Sequence, residues 1–337
     1  MGTPSILERS GLGDAKLLES AGVPVVAPLP GVGSEHQDHQ MVMVTYKADL
    51  GPWENVDSVF NGVLNTTELI RDNEAILSWK GVDASAKVRP TQAEIDMFKP
   101  ALRKWWDEHF AHEPSRPLGI IVVYAGLVIH ATITRCMTRA NEGFSVMSVT
   151  TAYPTDDRYF TMAAYNPYPR SRGHVHITGP GIDDPLDLRT GILSDPEETD
   201  IQVLVWLYKK QRQVAKRMGC QRGQISPGPA FPANSSISSD PTKDPSREDD
   251  PTFSPDDDTA IEQWIRETVA TPFHSLGTCK MAAESEFGVV DNSLNVYRVK
   301  GLKIADLSIA PGNVAGNTMN AAVVIGEKAA DITIGEF

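Results

Sequence analysis

Apolar positions along the chain fall into a few periodic stretches divided by turn-rich ones. Residues 5–22 read as a helix that ends near Gly22, and residues 23–33 as a short Val/Pro strand and turn. Residues 92–112 form an amphipathic helix from Gln92 through Trp105, Trp106 and Phe110. The longest apolar run, Leu118 to Ile129, has 12 residues and reads as a buried strand. A bilayer-spanning helix needs roughly 20. Residues 158–178 alternate in the manner of a strand, and residues 198–218 form a strong helix with Ile201, Val205, Leu207 and Val214 opposite a Lys/Arg face.

The stretch 226–258 is rich in Ser, Pro and Asp and reads as a surface loop. It closes on Ser254-Pro255-Asp256-Asp257. A serine N-cap, a proline at the first helical position and acids in the first turn predict the helix Asp258–Val269. A strand Leu302–Leu307 and an apolar, Ala-rich helix over 319–334 complete the pattern. No internal repeat is visible, and the mixture implies an α/β plus α+β body.

The length of 337 residues supports about two domains. The net charge of −13 argues against nucleic acid and against an anionic membrane surface as partners. Cys136, Cys220 and Cys279 are odd in number and form no C-x-x-C pair, so neither a disulfide framework nor a structural zinc site is expected. That count leans toward a reducing compartment, cytoplasmic or peroxisomal rather than secreted, although the last residues are not a Ser-Lys-Leu tail.

Chemistry concentrates near the C-terminus. The block His274-Ser275-Leu276-Gly277-Thr278-Cys279-Lys280-Met281 is followed by Gly301 to Pro311 and then by Gly316-Asn317-Thr318-Met319-Asn320. His274 precedes Asn317 by 43 residues. Order and spacing resemble the C-terminal third of the glucose–methanol–choline flavin oxidoreductase family. The opening, Met1 to Gly13, resembles that family's internal signature of Ser/Thr-Pro, two aliphatics and Ser-Gly-aliphatic-Gly. Pro30 to His39 resembles its Val-Gly-x-Asn-Leu-x-Asp-His segment, with Glu35 where Asn is usual. Arg172-Gly173-His174-Val175-His176-Ile177 resembles its Ser-Arg-Gly-x-aliphatic strand. Within the family, the segments Ile6–Asp14, Asp258–Glu267 and Gly301–Ser308 are most similar to fungal alcohol (methanol) oxidases.

The family's first strand–GxGxxG–helix unit has no counterpart here. Gly31-Val32-Gly33 begins like one, but position 36 is His36. The chain therefore reads as the C-terminal part of a larger enzyme. The resemblance implies an incomplete, Rossmann-like FAD-binding domain joined to a substrate domain of mostly antiparallel sheet and helices. The expected division is 1–39 in the FAD-binding domain, 40–225 as substrate domain with a candidate insertion at 127–151, the loop 226–258, and 259–337 returning to the FAD domain. Residues 127–151 match nothing in the family and read either as a loop insertion or as an unspliced intron.

The implied reaction is FAD-dependent oxidation of a small primary alcohol to an aldehyde, with oxygen reduced to hydrogen peroxide. His274 is the expected base, removing the hydroxyl proton as hydride leaves for flavin N5. Asn317 is expected to orient the substrate oxygen, a role compatible with capping the helix that follows. Cofactor contacts are expected from Phe273, Ala305, Asp306, Ser308 and Thr318. Thr318 stands at a helix start whose dipole favours negative charge on reduced flavin. Phe273 stands where methanol-type enzymes tend to have Trp and aryl-alcohol oxidases often Phe. A homo-oligomer is implied for the full-length protein.

Two rivals compete with this reading. One is a dehydrogenase of the same family passing electrons to a quinone. The other is a non-catalytic fragment, poorly soluble alone and unable to hold FAD. A metal role for His174 with His176, or for His36 with His39, lacks an identifiable third ligand. The acids between Asp240 and Asp258 lack a calcium-loop pattern.

Overall fold

The computed structural model describes residues 2–79, 81–126, 157–225, 228–237 and 250–335. In chain order its helices are α1 Gly2–Arg9, α2 Ala15–Ser20, α3 Asp57–Phe60, α4 Thr66–Arg71, α5 Gln92–Asp96, α6 Pro100–His109, α7 Thr199–Arg217, α8 Pro255–Thr268 and α9 Met319–Ile334. Its strands are β1 Leu12–Gly13, β2 Ala27–Pro28, β3 Gln40–Ala48, β4 Val82–Val88, β5 Gly119–Tyr124, β6 Arg158–Asn166, β7 His174–Ile177, β8 Leu186–Arg189 and β9 Gln221–Gln224. They divide into two compact units: residues 1–40, 167–200 and 271–337, and residues 41–166 and 201–270. Residues 167–200 thus group with the termini, where the sequence places them inside a single 40–225 segment.

The second unit is built on a five-stranded sheet of order β4-β5-β6-β3-β9, in which β4·β5, β5·β6 and β3·β9 pair antiparallel. Alternation over 158–166 is not matched by alternating burial: every residue of β6 is buried, as an inner strand covered on both faces requires. The edge strand β4, with Asp83 and Lys87, is exposed along nearly its whole length, so its charges discourage further pairing. The helix expected over 92–112 is two helices. Pro100 has no N–H to continue α5 and instead starts α6, while Thr91 and Glu94 form a capping box on α5.

Helix α7 spans the predicted stretch, but part of its basic face is interior. Arg212 is 1% exposed and Lys216 5%. Lys209 pairs with Asp258 at the start of α8, and Tyr208 meets Trp264 with ring centroids 5.2 Å apart. Helix α8 begins as expected: the Ser254 hydroxyl accepts from Asp257 N at 3.2 Å, and the Asp257 carboxylate accepts from Ser254 N at 2.8 Å. In the stretch read as a surface loop, Ile237 is buried. The candidate insertion at 127–151 lies outside the described residues.

In the first unit, the single helix expected over 5–22 is α1 and α2 with β1 between them. Gly11 sits at φ +82°, and a side chain there would bring Cβ within 2.5 Å of the Pro24 carbonyl. The chain leaves the helix at that point, pairs β1 with β2 in parallel, and re-enters helix behind Asp14, which caps Lys16 N and Leu17 N. A core of Leu7, Leu12, Leu29, Val32, Val289, Val290, Ile304 and Ile309 supports this unit.

The expected strand Leu302–Leu307 does not form. The Asp306 carboxylate accepts from Ser308 N at 2.7 Å and turns the backbone into a 3-10 turn, Leu307–Ile309. Asp306 and Ser308 therefore lie on a turn rather than at the end of a parallel strand. Helix α9 begins at Met319 with Thr318, not Asn317, in the capping position.

Candidate active site

Three segments distant in sequence run side by side in the first unit. Gly33 N donates to Thr278 O at 2.8 Å and Gln37 N to Leu276 O at 3.0 Å. Cys279 N donates to Ser308 O at 2.8 Å. On the far side of 33–36, His36 N donates to Gly173 O at 2.9 Å and Val175 N to Gly33 O at 2.7 Å. Gly33, at φ +78°, admits this approach, since a Cβ there would lie 2.4 Å from the Val175 carbonyl. The result is a rigid ladder that carries Asp38 and His39 to the segment 271–275.

Asp38 is buried and organises that segment. Its Oδ1 accepts from His274 N at 3.0 Å, and its Oδ2 accepts from Thr271 Oγ1 at 2.5 Å and Ser275 Oγ at 2.9 Å. Phe273, between them, takes φ +65°, a strained value for a bulky residue, with its N–H donated to Thr271 Oγ1 at 2.8 Å. Strain of roughly 1–3 kcal/mol at such a residue persists only where its surroundings over-determine it, as the three bonds to Asp38 do here.

His274 is 7% exposed, and its Nδ1 lies 2.8 Å from Nδ1 of His39. The rings meet edge to face, at 84° with centroids 4.9 Å apart. His39 is wholly buried, and its Nε2 lies 3.2 Å from the Pro167 carbonyl. Burial lowers both imidazoles below their ordinary value. For His274 the nearby Asp38 charge opposes that effect. For His39 burial and the His274 charge together outweigh hydrogen bonds to the Val314 and Pro167 carbonyls and bring it to about 3. Both rings are neutral near pH 7, and a neutral imidazole is what can accept a proton.

The other predicted residues fall around this pair in different ways. Asn317 is exposed in the turn before α9, three residues after Val314, whose carbonyl accepts from His39. Ala305, Asp306 and Ser308 share one cleft of about 520 Å³ with Thr3, His36, Ser275 and Thr278. Phe273 and Thr318 do not line it. Partial burial pushes the Asp306 carboxyl up, but hydrogen bonds from Thr3 and Ser308 outweigh this and hold it below its ordinary value. Burial pushes the Cys279 thiol up to about 12, so it is inert.

His174 and His176 stack at 5.0 Å, but each ring is taken by a carboxylate: His174 Nε2 by Asp187 at 3.1 Å, His176 Nδ1 by Glu8 at 2.6 Å. Among the described residues no group of three His, Cys, Asp or Glu side chains is placed to hold a metal ion. By sequence His39 stands only beside His36 as a candidate metal ligand, not as a partner of His274. Its signal for such a role is membership of the Pro30–His39 segment, and His274 lies 235 residues away.

Residues 169–326 match the family described as GMC oxidoreductase. The chain is 31% identical over 387 aligned positions to alcohol oxidase 1 of Komagataella phaffii, an alignment covering 99% of this chain and 55% of that protein. It is 29% identical to dehydrogenase xptC of Emericella nidulans, covering 99% of this chain and 50% of that protein. A crystal structure of formate oxidase superposes with a TM-score of 0.74 at 17% identity, over 99% of this chain and 52% of the other, which shows a shared fold of helices and antiparallel sheet. The chain spans about half the length of the curated relatives it matches.

Proposed function

The chain belongs to the GMC oxidoreductase family, and from that premise we propose that it is the catalytic half of an FAD-dependent alcohol oxidase. The observation that carries this reading is the buried His274, held by Asp38 through its backbone and in contact with His39 through its ring.

A test of fit for the cofactor comes from the cleft beside Asp306. Among the described residues, the buried His36 Nε2 and Thr278 Oγ1 in its wall have no hydrogen-bond partner. Buried polar atoms without partners mark a place where a polar ligand completes the structure. A flavin nucleotide, apolar in its rings and polar at its edge and ribityl chain, suits such a wall. Ala305, Asp306, Ser308 and Thr278 would hold it there, with Asp306 as the acceptor for hydroxyl groups. FAD, when bound, supplies the hydride acceptor.

The chain's own residues do the proton work. His274 takes the hydroxyl proton of a small primary alcohol, which makes loss of the α-hydride feasible. Asn317 presents its amide to the same oxygen and fixes its direction. Phe273 shapes the substrate end. Oxygen as electron acceptor, giving hydrogen peroxide, follows the likeness to alcohol oxidases. The likeness to a dehydrogenase keeps a quinone acceptor as the second reading.

The apolar helix α9 leaves Met319, Val323, Val324 and Ile334 exposed. We read that face as one covered by a nucleotide-binding segment, which would complete a Rossmann-like domain. The deciding experiment uses the flavin-loaded, full-length protein. Primary alcohols should bleach its flavin anaerobically, and air should restore the colour with one peroxide per cycle. A flavin unmoved by any primary alcohol sinks the proposal. Restoration by quinone but not by air selects the dehydrogenase.

A further inference from the structure

Residues of α5, α6, α7 and the start of α8 line a groove of about 290 Å³, all of them from the second unit. Its apolar wall is Met97, Phe98, Leu102, Val205, Trp206 and Phe253. The α7 side is one stripe, because Gln202, Val205, Trp206 and Lys209 recur at helical spacing and share a face. None of these residues belongs to the cleft proposed for the flavin. The volume lies at the lower edge of small-molecule pockets, roughly 300–1,000 Å³, so the groove suits a compact ligand.

The charges around the groove are already matched. Glu94 pairs with Lys210 at 2.5 Å, Lys209 with Asp258, Lys99 with Glu262 at 3.6 Å and Asp250 with Arg217 at 2.5 Å. A charged ligand would enter without a free counter-charge, so the groove favours a neutral one. Two polar atoms of the wall differ from these. Trp206 Nε1 and Gln202 Oε1 are buried, and among the described residues neither has a hydrogen-bond partner. Such atoms are rare in folded proteins, and each calls for a group that completes it. An indole N–H can only donate, so it requires an acceptor. A hydroxyl both accepts and donates, and one hydroxyl seated at this turn of α7 serves both atoms. The stretch 238–249, which leads into Asp250 on the groove wall, has no large apolar side chain to fill the space.

We propose that this groove binds a small neutral hydrophobe carrying one hydroxyl group, at a site formed apart from the residues of alcohol oxidation. The apolar body lies against Phe98, Leu102 and Phe253, and the hydroxyl takes the Trp206 N–H. Both polar atoms are closed to water as the groove stands, so the ligand reaches them by turning the half-buried Gln202 side chain. The proposal is independent of the assignment of His274 as the base.

The probe is 2-naphthol, which is neutral at pH 7 and has no α-hydrogen to lose, so the proposed oxidation does not consume it. Equilibrium dialysis against the flavin-loaded, full-length protein should show saturable binding, about tenfold tighter than that of 2-methylnaphthalene, which keeps the shape without the hydroxyl. The charged 2-naphthoate should bind more weakly than 2-naphthol. Trp206→Phe keeps an aromatic ring without the N–H and should bring the two neutral probes to within about twofold of each other. Val205→Trp fills the groove from a half-buried position and should abolish binding of both, while His274→Ala should bind 2-naphthol as the wild type does. Absence of saturable binding overturns the proposal, and a groove filled by another protein segment would give that result. A preference for 2-naphthol that survives Trp206→Phe overturns it, as does tighter binding of 2-naphthoate. Binding that survives Val205→Trp in a variant with a normal thermal melt would place the probe elsewhere and overturn it too.

Discussion

Two pairs of histidines in the same unit show how one side chain is put to opposite uses. His39 and His274 meet each other, and the adjacent carboxylate, Asp38, spends its bonds on hydroxyls and a backbone N–H. His174 and His176 lie two residues apart on β7, and each gives a ring nitrogen to a carboxylate. Here the two carboxylate-bound rings tie β7 to Asp187 and Glu8. The buried pair meets ring to ring, and burial lowers both imidazoles, which favours the neutral form that can accept a proton.

The largest effect should come from breaking the first pair. His274→Ala in the flavin-loaded protein should slow flavin reduction by alcohol about 10²–10⁴-fold, the range for loss of a general base. Its melting temperature should fall only modestly: the buried contact with His39 is lost, but the Asp38 bond to position 274 is to the backbone and remains. Stopped-flow reduction beside a thermal melt checks both halves. A rate within about tenfold of wild type would remove His274 from the base role.

Breaking the second pair should do the reverse. Glu8 is wholly buried and accepts from His176 Nδ1 at 2.6 Å and Ile177 N at 2.8 Å. Glu8→Ala leaves both groups without their partner and should cost about 3 kcal/mol of stability. Denaturant unfolding measures this. Flavin reduction per folded molecule should stay near wild type, and a large loss there would mean that the two pairs are not separate in function.

The contrast between the pairs also explains what could be read from sequence. Local features were legible where neighbouring residues decide them. Ser254-Pro255 with its acids starts α8, and the apolar run 319–334 is a helix. Features set by distant contacts were not. Gly11 turns the chain at φ +82° after the first helix and, lacking a Cβ, admits the Pro24 carbonyl, and Asp306 diverts the expected strand by bonding Ser308 N. The interior position of Arg212 on a face that looks basic belongs to the same class. The segment carrying His274 stands out by pattern, but the His39 contact joins positions 235 residues apart, and no periodicity encodes it.

Acid should sharpen the comparison further. His39 and His274 hold folded values below the ordinary 6.5, with His39 near 3. Burial also lowers His36, with the Asp38 charge opposing. Between those values the unfolded chain binds more protons than the folded one, so stability rises with pH and is lost as pH falls below about 6.5. The urea midpoint should drop from about pH 7.5 to about pH 5, and less steeply in His39→Asn, which removes one of the depressed groups. A flat midpoint across that interval would mean the imidazoles are not held neutral.

The smallest effect is expected at the exposed end of the second pair. His174 meets Asp187 at the surface, where that hydrogen bond and the His174 charge hold the Asp187 carboxyl somewhat below its ordinary value. Water screens such a contact, and an exposed pair is worth roughly 0.2–1 kcal/mol. His174→Ala should therefore shift the unfolding midpoint only slightly, and less still in high salt. Glu8→Ala and His174→Ala each break a histidine–carboxylate bond to β7, so the ratio of their effects sets the buried contact against the exposed one. Comparable losses from both variants would mean that the β7–β8 hairpin, rather than the buried Glu8 contact, carries the stability of this region.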